Sequence, residues 1–366
     1  MEPLAESTGR DTSPLVSIVL PSYNGARTIR ITLDSIAAQD YRTLEWIVVD
    51  DASTDGTPQI VEDFLKSRSP TGRLMRHGSN QGLSRTLNDG LAAAHGDLVL
   101  IVHQDVAPMT PDWIRRATKI LSEDRTVAAV TCYYGLPASD DMTFVKRAFG
   151  FLRRQFHRPS QRDREFVTFT EFKCDLVRKS VLDRLGGFPT QFRICGEDLM
   201  LSYRIRKEGG KILKAYDLRT VQRFSGQAET VLGNLDKEFR FGQAMAGVLL
   251  AFRGFSFHGL SGSAYARKRS IHRASQPFVA LSAAILIIAA LISGSLLAWL
   301  GFAALIAGRY AYYMLRLWPE FRAALPSWPK AVGETLAASW LGLLSDFAYS
   351  LGISGGLVRS AVGAPL

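Results

Sequence analysis

Residues 44–57 read LEWIVVDDASTDGT. Leu44–Val49, apolar except for Glu45, has the length and β-branched content of a buried strand, and it ends abruptly in the adjacent carboxylates Asp50 and Asp51. Working outward, Leu15–Pro21 is a second such strand, closed by proline, and Leu98–Val102 and Val127–Cys132 are two more. Segments with helical spacing lie between them: Thr28–Ala38, with Ile29, Leu33 and Ile36 on one face, then Pro58–Lys66, Leu83–Ala94 and Pro111–Leu121. Strands alternating with helices predict an α/β fold with a mostly parallel central sheet and helices on both faces. Ligands of such sheets sit beyond the carboxyl ends of the strands. The residues just past each strand are therefore the ones to weigh.

Composition narrows the field. With 47% hydrophobic residues among 366, the chain can bury a core and is not disordered. Cys132, Cys174 and Cys195 are an odd set without CxxC spacing, which disfavours a disulfide framework or a zinc site and suits a reducing compartment. Residues 1–14 are polar and acidic, so a disordered N-terminus without a cleavable signal peptide is expected. The absence of GxGxxG after a strand, and of GxxxxGK[ST], HExxH and GxSxG, argues against nicotinamide, P-loop, zinc-protease and serine-hydrolase chemistry.

Three strand or helix ends carry acids. Asp50 and Asp51 can accept hydrogen bonds from a base or ribose, while Ser53, Thr54 and Asp55 can cap the next helix. His103-Gln104-Asp105 follows the strand Leu98–Val102, where a carboxylate can hold a divalent cation bridging phosphates. Taken alone, that triplet is equally a solvated turn. Glu197 and Asp198 open the helix Leu199–Glu208 and either complement its dipole or, for Asp198, supply a rigidly held general base.

In order, VSIVLPSYNG, EWIVVDDASTDGT, NQGLSRTLN, HQD and GGF…GEDLMLSYRIRKEGGKI resemble the family 2 glycosyltransferases over about residues 15–216. The resemblance implies a GT-A fold and an inverting, hexosyltransferase-type reaction. It implies that Pro21 and Tyr23 frame the nucleotide base, that Asp51 binds the base edge, and that Gly82, Arg85 and Gln104 lie along the donor. Asp105 matches the second carboxylate of the DxD motif that holds Mg²⁺ or Mn²⁺ on the donor diphosphate. Asp198 matches the general base, with Asp50 and Glu197 in support. Two departures stand out: His103 replaces the first Asp of DxD and is a possible ligand, and Arg223 lies where many relatives carry a His near the metal. Arg223 could then neutralise the leaving diphosphate.

The remaining chain changes character. Residues 217–275 read as a linker with basic interfacial helices, ending in Tyr265–Arg273 (YARKRSIHR). Pro277–Gly308 has no charged residue over 308 − 277 + 1 = 32 positions, and Ser293-Gly294-Ser295 divides it. A transmembrane hairpin over 276–318 is expected, with helices from about Pro277 to Ile292 and from Leu296 to Leu317. Basic residues on both flanks and none at the turn place those flanks in the cytoplasm. Residues 319–366, interrupted by Glu334 and Asp346, read as either an amphipathic helix or a third membrane helix. Phe144–Arg164 interleaves Phe and Arg and reads as an amphipathic helix for an anionic membrane surface or a polyprenyl-linked acceptor, or as a solvated helix with an apolar core face. Nucleic acid is not an expected partner.

The resulting expectation is a plasma-membrane enzyme with its catalytic domain in the cytoplasm. It moves one sugar from a nucleotide-diphosphate sugar, UDP favoured, to a lipid-linked glycan of surface polysaccharide or glycolipid synthesis, since no QxxRW segment of processive synthases is present. The alternatives are a polyprenyl-phosphate glycosyltransferase, a processive synthase, or a catalytically inactive GT-A membrane-binding subunit.

Overall fold

Strands β1 (Val16–Ser22), β2 (Leu44–Asp50), β3 (Arg73–Arg76) and β4 (Leu98–Val102) lie in the order β3-β2-β1-β4, all parallel. The structure is a computed structural model describing residues 13–69, 71–135, 142–154, 163–191, 196–223, 229–251 and 264–361. The continuous apolar runs are buried on both faces. Ile18, Leu20, Val48, Leu100 and Val102 pack with α1 (Ile29–Ala37), α2 (Thr57–Arg68) and α4 (Trp113–Glu123). Val19, Ile47, Val49, Val99 and Ile101 pack with α3 (Leu83–Ala93), α6 (Lys179–Leu185) and α7 (Glu197–Lys207). Alternate side chains of one run thus feed two cores, which is why these strands show no polar face.

Beyond β4 the sheet is mixed rather than parallel. β8 (Cys174–Arg178) runs antiparallel to both β4 and β6 (Val127–Gly135), and β6 runs parallel to β9 (Lys211–Gln222). The short strands β5 (Val106–Pro108) and β7 (Arg164–Val167) pair antiparallel with β9. Cys132 and Cys174 are buried free thiols, and Cys195 lies outside the described residues.

The other helices are α5 (Phe144–Arg154), α8 (Val231–Ala251), α9 (Ala264–Ser293), α10 (Leu296–Ala324) and α11 (Trp328–Ala361). α9 and α10 form a helical hairpin that extends beyond 276–318 at both ends and turns at Gly294 (φ 63°), with the Ser295 hydroxyl accepting from the Ala298 N–H. The described part of the basic segment, α5, turns its apolar face to protein rather than to lipid. Ala148, Phe149, Phe151 and Leu152 pack with Tyr313, Leu317 and Phe321 of α10 and with Ala331, Ala338 and Leu341 of α11. Arg147 adds a two-pronged ion pair to Glu334, both contacts 2.8 Å. Burial of so much apolar surface decides the docking, because a lipid surface offers the same residues no shape-matched partner.

α11 is one continuous helix through both acids. Glu334 meets Arg147, and Asp346 accepts from Arg309 Nε at 2.7 Å, from the Tyr313 hydroxyl at 2.7 Å, and from the Gln276 amide. Both carboxylates therefore face inward, while Leu336, Trp340, Leu344, Phe347 and Leu351 are exposed. Among the described residues, the helix Trp328–Arg359 is long and apolar enough to cross a membrane, and the apolar arm Phe278–Ser293 is shorter.

α8 and α11 approach at backbone distance through Gly242, Gly352 and Gly356, and a methyl group on Gly352 would meet the Phe239 carbonyl oxygen. The clash is with backbone, which cannot rotate away. Gly352→Ala should cost about 1–3 kcal/mol and lower the thermal unfolding midpoint, as calorimetry of the purified protein would report.

Candidate active site at the strand ends

The registers Ser22↔Asp50 and Val19↔Ile101 bring the ends of β2, β1 and β4 to one rim. Asp50 is fully buried there and serves the rim's own structure. It accepts from the hydroxyls of Ser22 (3.1 Å) and Ser53 (2.5 Å) and from the Ser53 N–H (3.0 Å). The chain then turns at Ala52, a non-glycine residue in the left-handed region (φ 63°). Such a conformation is held only where the surroundings over-determine it, and the Asp50 bonds do that here.

Asp51 points another way. Its Oδ1 lies 2.7 Å from His77 Nδ1 and 2.7 Å from the Gln81 N–H, and its Oδ2 accepts from the Gly82 N–H at 2.9 Å. Gly82 precedes α3 with φ 86°, a conformation suited to glycine, and so aims its amide at the carboxylate. Arg85, one turn into α3, pairs with Asp89 at 3.2 Å.

The N-cap position of α2 is Gly56, but Asp55 Oδ1 caps the helix by accepting from the N–H of Thr57, its first residue, at 3.0 Å. Ser53, Thr54 and Asp55 also brace the loop after β1. Asn24 N–H donates to the Ser53 hydroxyl (2.9 Å), Thr54 N–H donates to the Asn24 side chain (2.9 Å), and Ala26 N–H donates to Asp55 (3.1 Å). Gln104 spends its whole amide on the same loop. Its Oε1 accepts from Tyr23 N–H and its Nε2 donates to Tyr23 O, both at 2.9 Å. Gly25 lies against that amide with no room for a Cβ. Tyr23 itself is exposed, whereas Pro21 is buried within β1.

At the end of β4, Asp105 Oδ2 accepts from Gln222 Nε2 (3.1 Å), and its carbonyl accepts from Arg223 N–H (2.7 Å). Arg223 Nε is buried without a hydrogen-bond partner among the described residues. The neighbouring Phe224 and Ser225 lie outside those residues. Burial pulls the His103 imidazole down to about 4, against the charge of Asp105, so the ring is neutral near pH 7. The His103 backbone N–H donates to the Lys173 carbonyl at 2.9 Å. Lys173, ion-paired with Glu171 at 2.6 Å, acts electrostatically on both His103 and Glu197 and so links the β4 end to the start of α7.

α7 begins after Gly196, whose φ of 107° makes the turn into the helix. Asp198 is half-buried, with Oδ1 on the Leu199 N–H at 2.7 Å. Glu197 is buried, and its Oε2 has no hydrogen-bond partner among the described residues. Burial first, and then the Asp198 charge, push the Glu197 carboxyl up to about 8. Direct bonds thus join Tyr23 with Gln104 and Asp51 with Gly82, while Asp105 is bonded to Gln222 and Arg223 and Asp198 opens α7. Sequence reasoning missed His77, Lys173 and Gln222. Only His77, just past a strand, followed the rule that pointed to the others.

Residues 17–186 match the family model described as glycosyl transferase family 2. That stretch is 186 − 17 + 1 = 170 residues, just under half of the chain. Its fold is similar to that of a mannosyltransferase from Pyrobaculum calidifontis solved with GDP-Man and Mn²⁺, at TM-score 0.61 and 26% identity over 91% of this chain and 88% of that one. Among curated relatives, the glycosyltransferase AglE of Haloferax volcanii is 25% identical over 209 residues, 57% of this chain and 66% of that protein. The succinoglycan biosynthesis protein ExoO of Rhizobium meliloti is 36% identical over 106 residues, 29% of each. The chain spans about a third or less of the length of several other such relatives.

Glu197 gives the fold a pH signature. An acid whose pKa is higher folded than unfolded leaves stability untouched below its ordinary value of 4.5 and costs increasingly more up to about pH 8. Glu197→Gln removes that cost. Its unfolding midpoint should match wild type near pH 4.5 and exceed it at pH 9, as a thermal-shift series across pH would show.

Proposed function

We propose that this chain is an inverting hexosyltransferase that moves one sugar from a nucleotide-diphosphate sugar to a lipid-linked glycan of surface polysaccharide or glycolipid synthesis. What supports this reading is the match of residues 17–186 to the family 2 model together with the placement of three carboxylates: Asp51 and Asp105 follow the parallel strands β2 and β4, and Asp198 opens α7, whose Glu197 shares the electrostatic partner Lys173 with His103. Asp51 takes the base, UDP being favoured, with Tyr23 beside it. Arg223, whose backbone N–H is bonded to the Asp105 carbonyl and whose Nε is buried without a hydrogen-bond partner among the described residues, supplies positive charge for the diphosphate.

The rim's donor set suits a divalent cation shared with the substrate. Asp105 keeps Oδ1 open among the described residues, and His103 is a neutral imidazole beside it. Among the described residues no group of three or more His, Cys, Asp or Glu could enclose a metal. Asp105 and His103 would therefore hold Mg²⁺ or Mn²⁺ together with the diphosphate oxygens. When bound, such a cation offsets charge on the departing diphosphate. Asp198 takes the proton of the acceptor hydroxyl, whose oxygen attacks the anomeric carbon opposite the nucleotide. One displacement inverts that centre.

A membrane setting fits the helices that follow. Outward residues of α9 and α10 include Phe278, Leu281, Ile285, Ile288, Leu297 and Leu300, while Arg309 turns inward to Asp346. On α10, Trp299 and Trp318 lie about 29 Å apart along the axis, close to the ~30 Å of hydrocarbon in a bilayer. The α9–α10 hairpin is then the membrane anchor, α11 its third helix, and the basic flanks lie in the cytoplasm, where nucleotide-sugars are made.

Incubation with labelled nucleotide-sugars and lipid extract should yield a single species carrying one added sugar. A ladder of products would mean a processive synthase, a charged carrier lipid a polyprenyl-phosphate transferase, and no product an inactive subunit. Asp198→Asn should lower turnover by about 100-fold or more while nucleotide affinity, read by calorimetry, stays near wild type. Wild-type turnover in that variant would remove Asp198 as the base.

A further inference from the structure

His77 follows β3, and both its ring nitrogens face carboxylates. Nδ1 lies 2.7 Å from Asp51 Oδ1, and Nε2 lies 3.0 Å from Asp89 Oδ2, which also accepts from Arg85 Nε at 3.2 Å. The backbone holds the residue from below, since His77 N–H donates to Asp50 O at 2.9 Å. The imidazole side chain is only 14% exposed, so it is fixed along its length and at both ends.

This matters for what Asp51 can offer. A carboxylate accepts at about four lone-pair positions, two on each oxygen. On Asp51, His77 and the Gln81 N–H fill Oδ1, while the Gly82 N–H takes one position on Oδ2. The vacant position is therefore on Oδ2, at the end of β2 beside Ser22, whose carbonyl accepts from Asp51 N–H at 2.8 Å. Two of the three donors are backbone amides that come with the course of the chain into α3. Among the described residues His77 supplies the only side-chain donor to Asp51, on the oxygen that the Gly82 N–H does not use.

We infer that His77 is a positioning residue for the donor nucleotide, holding Asp51 so that one Oδ2 lone pair faces the base. An acceptor so presented takes a single ring N–H, which selects an imide-type base edge: N3–H of uracil or N1–H of guanine. Cytosine has an acceptor at the ring position concerned, and adenine has one as well. The inference rests on the reading of Asp51 as the base-binding carboxylate.

Calorimetric titration of the purified full-length chain with UDP, GDP, CDP and ADP separates the two claims. The Asn amide nitrogen falls near the position of Nδ1, and that of Gln near the position of Nε2. His77→Asn should thus keep UDP or GDP affinity within about 3-fold of wild type, while His77→Gln and His77→Ala weaken it by about 10-fold or more. In transfer assays the same two variants should raise KM for the donor by a similar factor and leave kcat at saturating donor within about 2-fold. Wild-type affinity in His77→Ala overturns the proposal. Equal weakening in the Asn and Gln variants also overturns it, because a general packing role would not tell one nitrogen from the other. Tight binding of CDP or ADP by wild type removes the imide selectivity. Wild-type affinity in Asp51→Ala removes Asp51 itself from the base site, and the reading beneath the proposal with it.

Discussion

β2, β1 and β4 run parallel and side by side, and their carboxyl ends finish on one rim. Parallel strands need crossovers, so α1 to α3 must cover the faces and the loops entering them must pass over that rim. Helix starts and strand ends therefore meet in one place. Gly82 and Gln81 bring amides to Asp51 because α3 begins there, and Asp105 stands beside the loop after β1 because β4 is the next strand. The rim holds more bonding groups than the protein uses on itself, and that surplus is what a charged, polar donor needs.

Carboxylates divide by whether their lone pairs are spent. Asp50 is spent on Ser22 and Ser53, Asp175 on Tyr134 and Thr170, and Asp346 on Arg309, Tyr313 and Gln276. Each is buried, and an unpaired buried charge would be costly, so each is enclosed by donors. Asp51 and Asp105 retain open positions and line the rim. The same rule governs the helical region. Glu334 and Asp346 interrupt an apolar sequence, yet their partners turn them inward and leave the outer stripe of α11 apolar. Charge pairing and a lipid-compatible surface are thus one arrangement.

Much of this was legible in the chain itself. Continuous apolar runs ending in polar residues gave β1, β2, β4 and β6 within a few residues, and helical spacing gave α1 to α4. The short strands were not legible: β3 reads RLMR with both ends exposed, and β5 has three residues. β8 and β9 made the sheet mixed, and nothing local announces strand direction, since antiparallel pairing is decided by which distant strand is adjacent. The resemblance puts Gln104 along the donor, and what the residue type alone does not reveal is that its amide matches the Tyr23 backbone on both sides. α5 read either as a membrane-surface helix or as a helix with an apolar core face, because its amphipathic pattern is the same whether that face meets lipid or α10 and α11. His77 escaped notice because the strand before it was itself invisible.

The account stands on three aspartates serving one activated sugar, and crystals soaked with a nucleotide-diphosphate sugar and Mn²⁺ test it most directly. Diffraction at the manganese edge should place an anomalous peak on the Asp105 carboxylate and the diphosphate. The base N–H should rest on Asp51 Oδ2, and Asp198 should face the sugar's anomeric carbon from the side away from the nucleotide. A nucleotide seated away from the ends of β1, β2 and β4, or an Asp198 turned from the sugar, would contradict it.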